Sequence, residues 1–198
     1  CPDTQCPNRS VRDGAAQIVI HLLAEQSTLA GSSTAPGYLP GFGIQPAETV
    51  RTAARGAKLT PVRLPGPAPE PGYRASAPLT DFLRWRDLTC RWPGCDAPVA
   101  RCDLDHTQPW PVGLTHPSGL KHYCRAHHLL KTFYTGPLGW TDQQRPDGTI
   151  VFTAPTGHTY TTEATGGLLF PTLARPTAPL STTTRTAIDT YRRQLKSF

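Results

Sequence analysis

The chain has 198 residues, of which 22 are proline, 17 are glycine and none is methionine. This proline and glycine content predicts many loops around a modest core, which a bound metal would help to stabilise. No apolar run reaches the length of a bilayer span and no signal-peptide pattern is present, so we expect no membrane partner and a cytoplasmic location. Because a natural reading frame begins with methionine, Cys1 predicts a processed or truncated start.

The formal net charge is +6, and most of it lies near the end of the chain. Residues 171–198 contain five basic residues against Asp189 alone, which accounts for +4 of the +6. A basic balance suits a polyanionic partner such as DNA, and it suits simple solubility nearly as well. The charge therefore permits a nucleic-acid partner without requiring one.

The first part of the chain predicts few regular elements. The mostly apolar run at 15–29 is interpreted as a buried strand. The segment PAETVRTAARGAK (46–58) predicts a helix, in which Pro46 suits the first turn and Gly56 suits the end. Residues 61–75 are rich in proline and predict an extended connection between domains.

The next part of the chain alternates between strand and helix patterns. Residues 76–89 predict a helix that Ser76 can cap. Residues 99–106 alternate as a strand, and 112–122 are expected to form a loop and a short returning strand. Residues 125–134 then have helical character. The order strand, loop, strand, helix predicts a small α+β core.

After Gly136 the pattern changes to short β-type segments separated by turns, which predict a meander or hairpin. Residues 182–198 predict a helix with a basic face. The fold class that the whole sequence indicates is α+β.

Two short chelating pairs bracket the strand–loop–strand: Cys90-x4-Cys95 before it and Cys124-x2-His127 after it. Zinc binds four such ligands in a tetrahedron, commonly supplied as two pairs. The Pro93–Gly94 turn lets both sulfurs of the first pair point inward. The alternative is that these cysteines are simply buried or form disulfides; in a chain of cytosolic character, zinc is favoured.

Three further cysteines have other interpretations. Cys102 lies on the same face of the predicted strand as Leu104, which favours a core position over a ligand role. Cys1 and Cys6 form a third chelating pair without visible partners, and we interpret them as exposed.

A carboxylate and an imidazole follow each other at the end of the first predicted strand. Consecutive strand residues project to opposite sides, so Asp105 can hold a cation while His106 faces a substrate. The pair alone is a weak signal. It gains meaning from the flanking zinc ligands and from His128 on the following helix.

Asp105-His106, then Gly119-Leu120, then Cys124-Arg125-Ala126-His127-His128-x2-Lys131 resembles the signature of the HNH endonucleases. More narrowly, residues 76–160 are similar to HNH proteins of actinobacterial repeat families. Those proteins carry a mostly helical domain of unknown function upstream, and residues 1–60 resemble its C-terminal end.

The resemblance implies a ββα-metal fold, with two strands and a helix around one catalytic cation. It divides the chain into the remnant of the upstream domain (1–60), a linker (61–75), the HNH core with its zinc knuckle (76–135), and a β-hairpin extension with a basic helix (136–198).

It also implies metal-dependent hydrolysis of DNA phosphodiester bonds. His106 would be the general base, and Asp105 and His128 would hold the catalytic cation. An aspartate suits Mg²⁺ or Mn²⁺, and an imidazole ligand also admits Ni²⁺ or Zn²⁺. Cys90, Cys95, Cys124 and His127 would hold a separate structural Zn²⁺, because four protein ligands leave no open position.

Gly119 departs from the family pattern. The family has an asparagine here, whose hydrogen bonds pin the loop that fixes the general base, and glycine removes them. The expected function is therefore a weakened DNA endonuclease or, alternatively, a catalytically degenerate zinc-stabilised module that binds nucleic acid. A zinc domain with a purely structural role is the third reading.

Four basic residues of the core are candidates for contacts with phosphates: Arg91, Lys121, Arg125 and Lys131. An ordinary solvated surface explains them about as well, and the basic C-terminal helix is the stronger electrostatic candidate.

Overall fold

The computed structural model describes residues 19–134, 136 and 138–177. In chain order the elements are α1 (Gln26–Leu29), β1 (Gly37–Leu39), β2 (Gly43–Gln45), α2 (Ala47–Ala54), α3 (Ala77–Asp87), β3 (Cys102–His106), β4 (Leu120–Cys124), α4 (Arg125–Phe133), β5 (Thr141–Gln144), β6 (Ile150–Thr153), β7 (Thr159–Thr162) and α5 (Thr165–Leu169). The chain is α+β as predicted, with antiparallel sheets β1–β2, β3–β4 and β5–β6–β7.

Helix α3 forms where its sequence predicts it. The Ser76 hydroxyl caps the first turn by accepting from the amide of Leu79 at 3.4 Å. The apolar side chains of Leu79, Phe82 and Leu83 recur at three-to-four spacing and are buried. The helix ends at Asp87 because Leu88 adopts a left-handed backbone with φ of 56°, which costs about 1–3 kcal/mol.

One hydrophobic core lies between α3, β4 and the end of the described chain. Its buried members are Leu23, Leu79, Phe82, Leu83, Leu120, Phe170 and Leu173. Helix α5 approaches α3 closely because Gly166 has no side chain: a Cβ there would lie 1.8 Å from the carbonyl oxygen of Trp85. The sequence had predicted neither α5 nor this contact.

A second core lies on the other side of β4. It consists of Cys90, Trp92, Tyr123, Ile150 and Phe152. The three-stranded sheet β5–β7 is the predicted meander, and β6 supplies the last two of these side chains. Trp92 packs edge-to-face against Phe152, with ring centres 5.2 Å apart, so this sheet covers the loop that carries the first cysteine pair.

Between the two cores lies a fully buried carboxylate, that of Asp87. One of its oxygens accepts from Nε of Arg86 at 2.8 Å and from Nη1 of Arg91 at 3.1 Å. The other lies 3.0 Å from both the backbone amide and ring Nδ1 of His122. A buried charge is tolerated only when it is paired and hydrogen-bonded, and this one is both.

The two arginines of this network also donate hydrogen bonds to three other segments. Arg86 donates to the carbonyls of Pro117 and Leu120, each at 2.7 Å. Arg91 donates to the carbonyl of Thr162 at 2.9 Å. Through Arg86, helix α3 therefore fixes the base of the loop between β3 and β4, and through the pair of Asp87 with Arg91 it is connected to strand β7.

Several sequence expectations need correction. The part of the 15–29 run that is described is not a buried strand. Leu23 makes only an isolated bridge to Tyr38, residues Gln26–Leu29 form a helical turn, and Val19 and Ile20 are exposed.

The strand that returns after the loop spans Leu120–Cys124 rather than ending at residue 122, and a 3-10 turn at Val99–Arg101 precedes β3. Cys1, Cys6 and the predicted basic helix at 182–198 lie outside the described residues. In the part of the chain that is described, no helix combines the length and apolar character needed to cross a membrane.

Replacing Asp87 with asparagine is expected to destabilise the fold by about 3–5 kcal/mol, because two buried guanidinium groups would lose their counter-charge. Urea unfolding at pH 7 measures this free energy. Asp81→Asn is the matched control, since Asp81 is exposed and pairs with the equally exposed Arg84 on the same helix. Equal unfolding midpoints for the Asp87 variant and the wild type would contradict the role of the network.

The same carboxylate predicts a pH dependence. Burial alone would raise the pKa of Asp87, but Arg86, the His122 hydrogen bond and Arg91 together hold it well below the ordinary value of 3.8. Stability from this group is complete above pH 3.8 and falls as the pH decreases further, because the unfolded chain takes up a proton that the folded chain does not.

Candidate metal centre and catalytic site

Four side chains converge into a compact metal-binding set: Cys90, Cys95, Cys124 and His127. Their ligand atoms all lie within 4.8 Å of one another. Nδ1 of His127 is 3.5 Å from Sγ of Cys90 and 3.3 Å from Sγ of Cys124. Zinc bonds of about 2.0–2.3 Å give tetrahedral edges of about 3.3–3.8 Å, so this arrangement is compatible with zinc.

The loop of the first cysteine pair is shaped by a tight turn. Gly94 adopts φ of 72°, a left-handed backbone that favours glycine, and the amide of Cys95 donates to the carbonyl of Trp92 at 3.0 Å. The amide of Cys124 points at Sγ of Cys90 at 3.3 Å. The indole of Trp92 stacks on the His127 ring at 4.9 Å and holds the imidazole in place.

Burial raises the pKa of the Cys90 thiol well above its usual range. Ligation requires the thiolate, so a cation must offset this cost, and its binding would release protons. Cys102 is half-buried beside the same cluster, but its Sγ is directed at the carbonyls of Ala97 and Pro98. The four-residue set does not include it, in agreement with the sequence interpretation.

A second cluster lies across strand β3 from the first core. Asp103 and Asp105 both face helix α4, as alternate residues of a strand do. His128 lies between them: its Nδ1 is 2.9 Å from Asp103, and its Nε2 is 3.5 Å from Oδ1 of Asp105. Adjacent helix residues differ by about 100° in direction, so His127 turns to the cysteines while His128 turns to the aspartates.

Two lysines pair with the other carboxylate oxygen of Asp105, Oδ2. Nζ of Lys131 lies 2.6 Å from Oδ2 and also donates to the carbonyl of His106. Nζ of Lys121 lies 3.2 Å from the same oxygen, and it is further held by Asp142 at 2.8 Å and by the Thr107 hydroxyl at 2.9 Å. Oδ1 of Asp105 therefore faces His128, and Oδ2 faces the ammonium groups of Lys121 and Lys131.

This geometry corrects the predicted phosphate contacts. The side chains of Arg91 and Lys121 are 1% and 0% exposed, so they cannot reach a bound phosphate, and their expected role in nucleic-acid binding is wrong. Arg91 pairs with Asp87, and Lys121 pairs with Asp105 and Asp142. Lys131 is directed inward, whereas Arg125 is exposed and pairs with Asp103 at 2.9 Å.

His106 lies on the opposite side of β3 from Asp105. Its Nε2 is 3.1 Å from the hydroxyl of Thr115, and its ring stacks on Tyr73 at 5.2 Å. Burial lowers the pKa of His106 below its usual value, with the ammonium groups of Lys131 and Lys121 acting in the same direction and Asp105 opposing them. The ring is therefore neutral at pH 7 and able to accept a proton.

Gly119 has no side chain that could hold the loop between β3 and β4, yet hydrogen bonds from other segments hold this loop. Its backbone takes part in two hydrogen bonds, to the carbonyl of His116 at 2.9 Å and from the amide of Thr107 at 2.8 Å. Arg86 and Gln144 each donate to the carbonyls of both Pro117 and Leu120. In this chain Arg86 and Gln144, which lie on other segments, thus hold the loop that the asparagine of the family pattern would hold.

Sequence reasoning missed several residues around the two sites: Tyr73, Arg86, Asp103, Thr115 and Gln144. Only Asp103 carried a usable signal, because it precedes Asp105 by two positions and so must share its strand face. Thr115 lies in the loop itself, and the other three reach the site from distant segments: Tyr73 is 42 residues from Thr115, and Arg86 and Gln144 are 31 and 27 residues from Pro117.

Comparisons with known proteins give partial matches. Residues 1–87 match the family described as a domain of unknown function, DUF222. This match runs past the predicted linker and includes α3, which the sequence interpretation had assigned to the following core. No solved structure matches the chain.

The chain is similar to two uncharacterized proteins of Mycobacterium tuberculosis. It is 53% identical to Rv2100 over 157 residues, which are 78% of this chain and 28% of that protein. It is 43% identical to Rv3776 over 205 aligned residues, covering 91% of this chain and 39% of that protein. The chain therefore spans well under half the length of these relatives.

The metal centre predicts that Cys95→Ser lowers bound zinc from about one ion per chain to near zero, since one of four ligands is lost. Thermal stability should fall with it. Cys102→Ser is the matched control, because this neighbouring thiol lies outside the four-residue set. Zinc analysis by plasma mass spectrometry after gel filtration measures the outcome, and full zinc retention by Cys95→Ser would refute the assignment.

The external fixation of the loop predicts an effect of Gln144→Ala. Loss of its bonds to Pro117 and Leu120 should reduce the free energy of local opening by about 1–2 kcal/mol. Hydrogen–deuterium exchange across residues 107–119 measures this. Gln143→Ala is the control, since Gln143 is exposed on the opposite face of β5. Unchanged exchange in the Gln144 variant would mean that Arg86 alone holds the loop.

Proposed function

We propose that this chain carries a metal-dependent endonuclease of the HNH type, which hydrolyses DNA phosphodiester bonds. The observation that carries the proposal is the arrangement around β3. Asp105 and His128 face each other at 3.5 Å on one side of the strand, and the neutral imidazole of His106 lies on the other. This pair of functions, cation binding and proton acceptance, is what phosphodiester hydrolysis requires.

Asp105 and His128 would hold the catalytic cation. One carboxylate oxygen and one imidazole nitrogen suit Mn²⁺ well and Mg²⁺ adequately, and they also admit Ni²⁺ or Zn²⁺. Asp103 bonds to the other ring nitrogen of His128, and among the described residues no third ligand atom converges with Oδ1 of Asp105 and Nε2 of His128, so water and phosphate oxygens would complete the shell. When bound, such a cation stabilises negative charge on the phosphate and on the leaving oxygen.

His106 would act as the general base that takes a proton from the attacking water. Its neutral ring at pH 7 suits this role. The carbonyl of His106 is held by Lys131, so the strand end that carries the base is tied to helix α4. Base and cation ligands are thereby kept at a fixed separation.

A structural Zn²⁺ in the set of Cys90, Cys95, Cys124 and His127 would stabilise this arrangement. Four protein ligands leave no position for a substrate, so this ion would take no part in the chemistry. Cys124 precedes α4 directly, and the helix carries both His127 and His128. Zinc binding would therefore fix the direction in which His128 points.

DNA is the proposed partner and the cytoplasm the proposed location. Arg125 is exposed at the start of α4, and the sequence at 171–198 adds a net charge of +4. None of the four described cysteines forms a disulfide, which suits a reducing compartment.

One observation favours a second candidate function, a zinc-stabilised nucleic-acid-binding module that does not cut. Both Lys121 and Lys131 already compensate the charge of Asp105. A divalent cation would bind this carboxylate against the repulsion of two ammonium groups.

Plasmid nicking with Mg²⁺ or Mn²⁺ tests the enzyme. His106→Ala should lower the rate by about a hundredfold or more, because a general base contributes roughly 10²–10⁴. His158→Ala is the control, since that imidazole is exposed and bonds only to Thr156 among the contacts of the described chain.

Three other results are informative. Nicking that survives His106→Ala would indicate a contaminating nuclease and would refute the enzyme. DNA binding that weakens with salt, without nicking, would support the binding module. Neither binding nor nicking would leave a zinc domain with a purely structural role.

A further inference from the structure

The proline-rich linker lies directly against the loop that precedes β4. The amide of Glu70 donates to the carbonyl of Thr115 at 2.9 Å, which forms an isolated bridge between the two segments. The Thr115 hydroxyl is 2.5 Å from the carbonyl oxygen of Gly72 and 3.3 Å from that of Tyr73. The Tyr73 ring stacks on His106 with an angle of 18° between the planes. The linker is therefore part of the surroundings of His106.

The protons in this cluster have only one consistent arrangement. A carbonyl oxygen accepts and never donates, so at 2.5 Å the Thr115 hydroxyl must give its proton to the carbonyl of Gly72. Its oxygen is then free only to accept. Nε2 of His106, at 3.1 Å from that oxygen, must be the donor. A neutral imidazole with a proton on Nε2 has its lone pair on Nδ1.

We propose that Thr115 and the linker carbonyl of Gly72 form a positioning relay, which holds His106 in the tautomer with Nε2 protonated and Nδ1 unprotonated. Thr115 is a positioning residue, since it acts through His106 and touches no reacting atom. The inference deepens the proposed function and rests on it: Nδ1 is the atom that would take the proton from the attacking water.

Burial makes this relay effective. Thr115 is fully buried and His106 nearly so, so bulk water does not compete for the hydroxyl. The reverse tautomer would put the lone pair of Nε2 against a hydroxyl oxygen whose only proton is already committed to Gly72. Two acceptors would then face each other at 3.1 Å in a buried site, and neither would have a donor.

The relay also supplies a second reason why Gly119 is tolerated. In this chain the orientation of His106 depends on a hydroxyl four residues earlier in the same loop and on a carbonyl of the linker. The ring is thus fixed by a bond to one of its own nitrogens, and the loop backbone need only keep Thr115 in position.

The test reads the tautomer directly. In the zinc-loaded, ¹⁵N-labelled chain at pH 7, long-range ¹H–¹⁵N correlation of the imidazoles identifies which nitrogen carries the proton, and His106→Ala assigns the signals. Thr115→Val removes the hydroxyl at nearly constant shape, and Thr115→Ser keeps it. Thr28→Val is the matched control: Thr28 is equally buried and also donates to a backbone carbonyl, that of Ala35, away from this site.

The wild type, Thr115→Ser and Thr28→Val should all show His106 protonated on Nε2, and Thr115→Val should lose this preference. A wild type protonated on Nδ1, or a Thr115→Val variant that keeps the wild-type tautomer while folded by circular dichroism, would overturn the relay. If Thr115→Val does not fold, the tautomers of the wild type and Thr115→Ser decide alone.

Nicking kinetics separate this inference from the function on which it rests. Thr115→Val should lower kcat by about a hundredfold with little change in KM, and Thr115→Ser should restore it. Equal kcat in wild type and Thr115→Val would overturn the catalytic relevance of the relay. A wild type that never nicks DNA refutes the proposed function, and the spectra then still decide whether the relay exists.

Discussion

The buried carboxylate of Asp87 is the constraint on which the rest of the structure depends. It lies at the end of α3 and neutralises two guanidinium groups whose remaining donors hold the loop before β4 and the last strand of the meander. Through His122 it also holds β4 itself. An ion pair of this kind contributes little net stability compared with apolar packing, but it fixes direction, since each donor fits only one acceptor. The four-residue metal set and the Asp105–His128 pair are both attached to segments that this one group aligns.

The candidate site contains a fully buried cation, the ammonium group of Lys121. Strand β4 would bring Lys121 into an apolar interior, and three acceptors on β3, β5 and the intervening loop meet its ammonium group there. The consequence is a sheet pair with its own fixed cation beside the position proposed for a mobile one. The charge of Asp105 is therefore compensated by side chains of the chain itself, so the charge balance of these two strands does not depend on a divalent ion.

Local pattern was enough to predict much of this molecule. The helices α2, α3 and α4, the meander and the four-residue metal set all follow from spacing over a few residues, where side-chain direction is dictated by helix or strand geometry. The errors at the candidate site concern long-range partners, and the one clear local error is the strand predicted over 15–29, where Gln26–Leu29 forms a helical turn. Whether Arg91 is a surface cation or an interior one depends on Thr162, 71 residues away, and no local pattern encodes that. The proline content of residues 61–75 predicts an extended connection, but it does not predict that this segment contacts Thr115.

The bond between Arg91 and the carbonyl of Thr162 has a consequence for how the site is assembled. Closing a loop between residues so far apart costs entropy that must be overcome before the contact contributes. On a ribosome, the Arg91 guanidinium therefore lacks this partner until residue 162 has left the exit tunnel. The smallest fragment that closes every bond described around His106 and Asp87 extends from Glu70 to Thr162, so a fragment limited to residues 76–135 would lack several of these bonds.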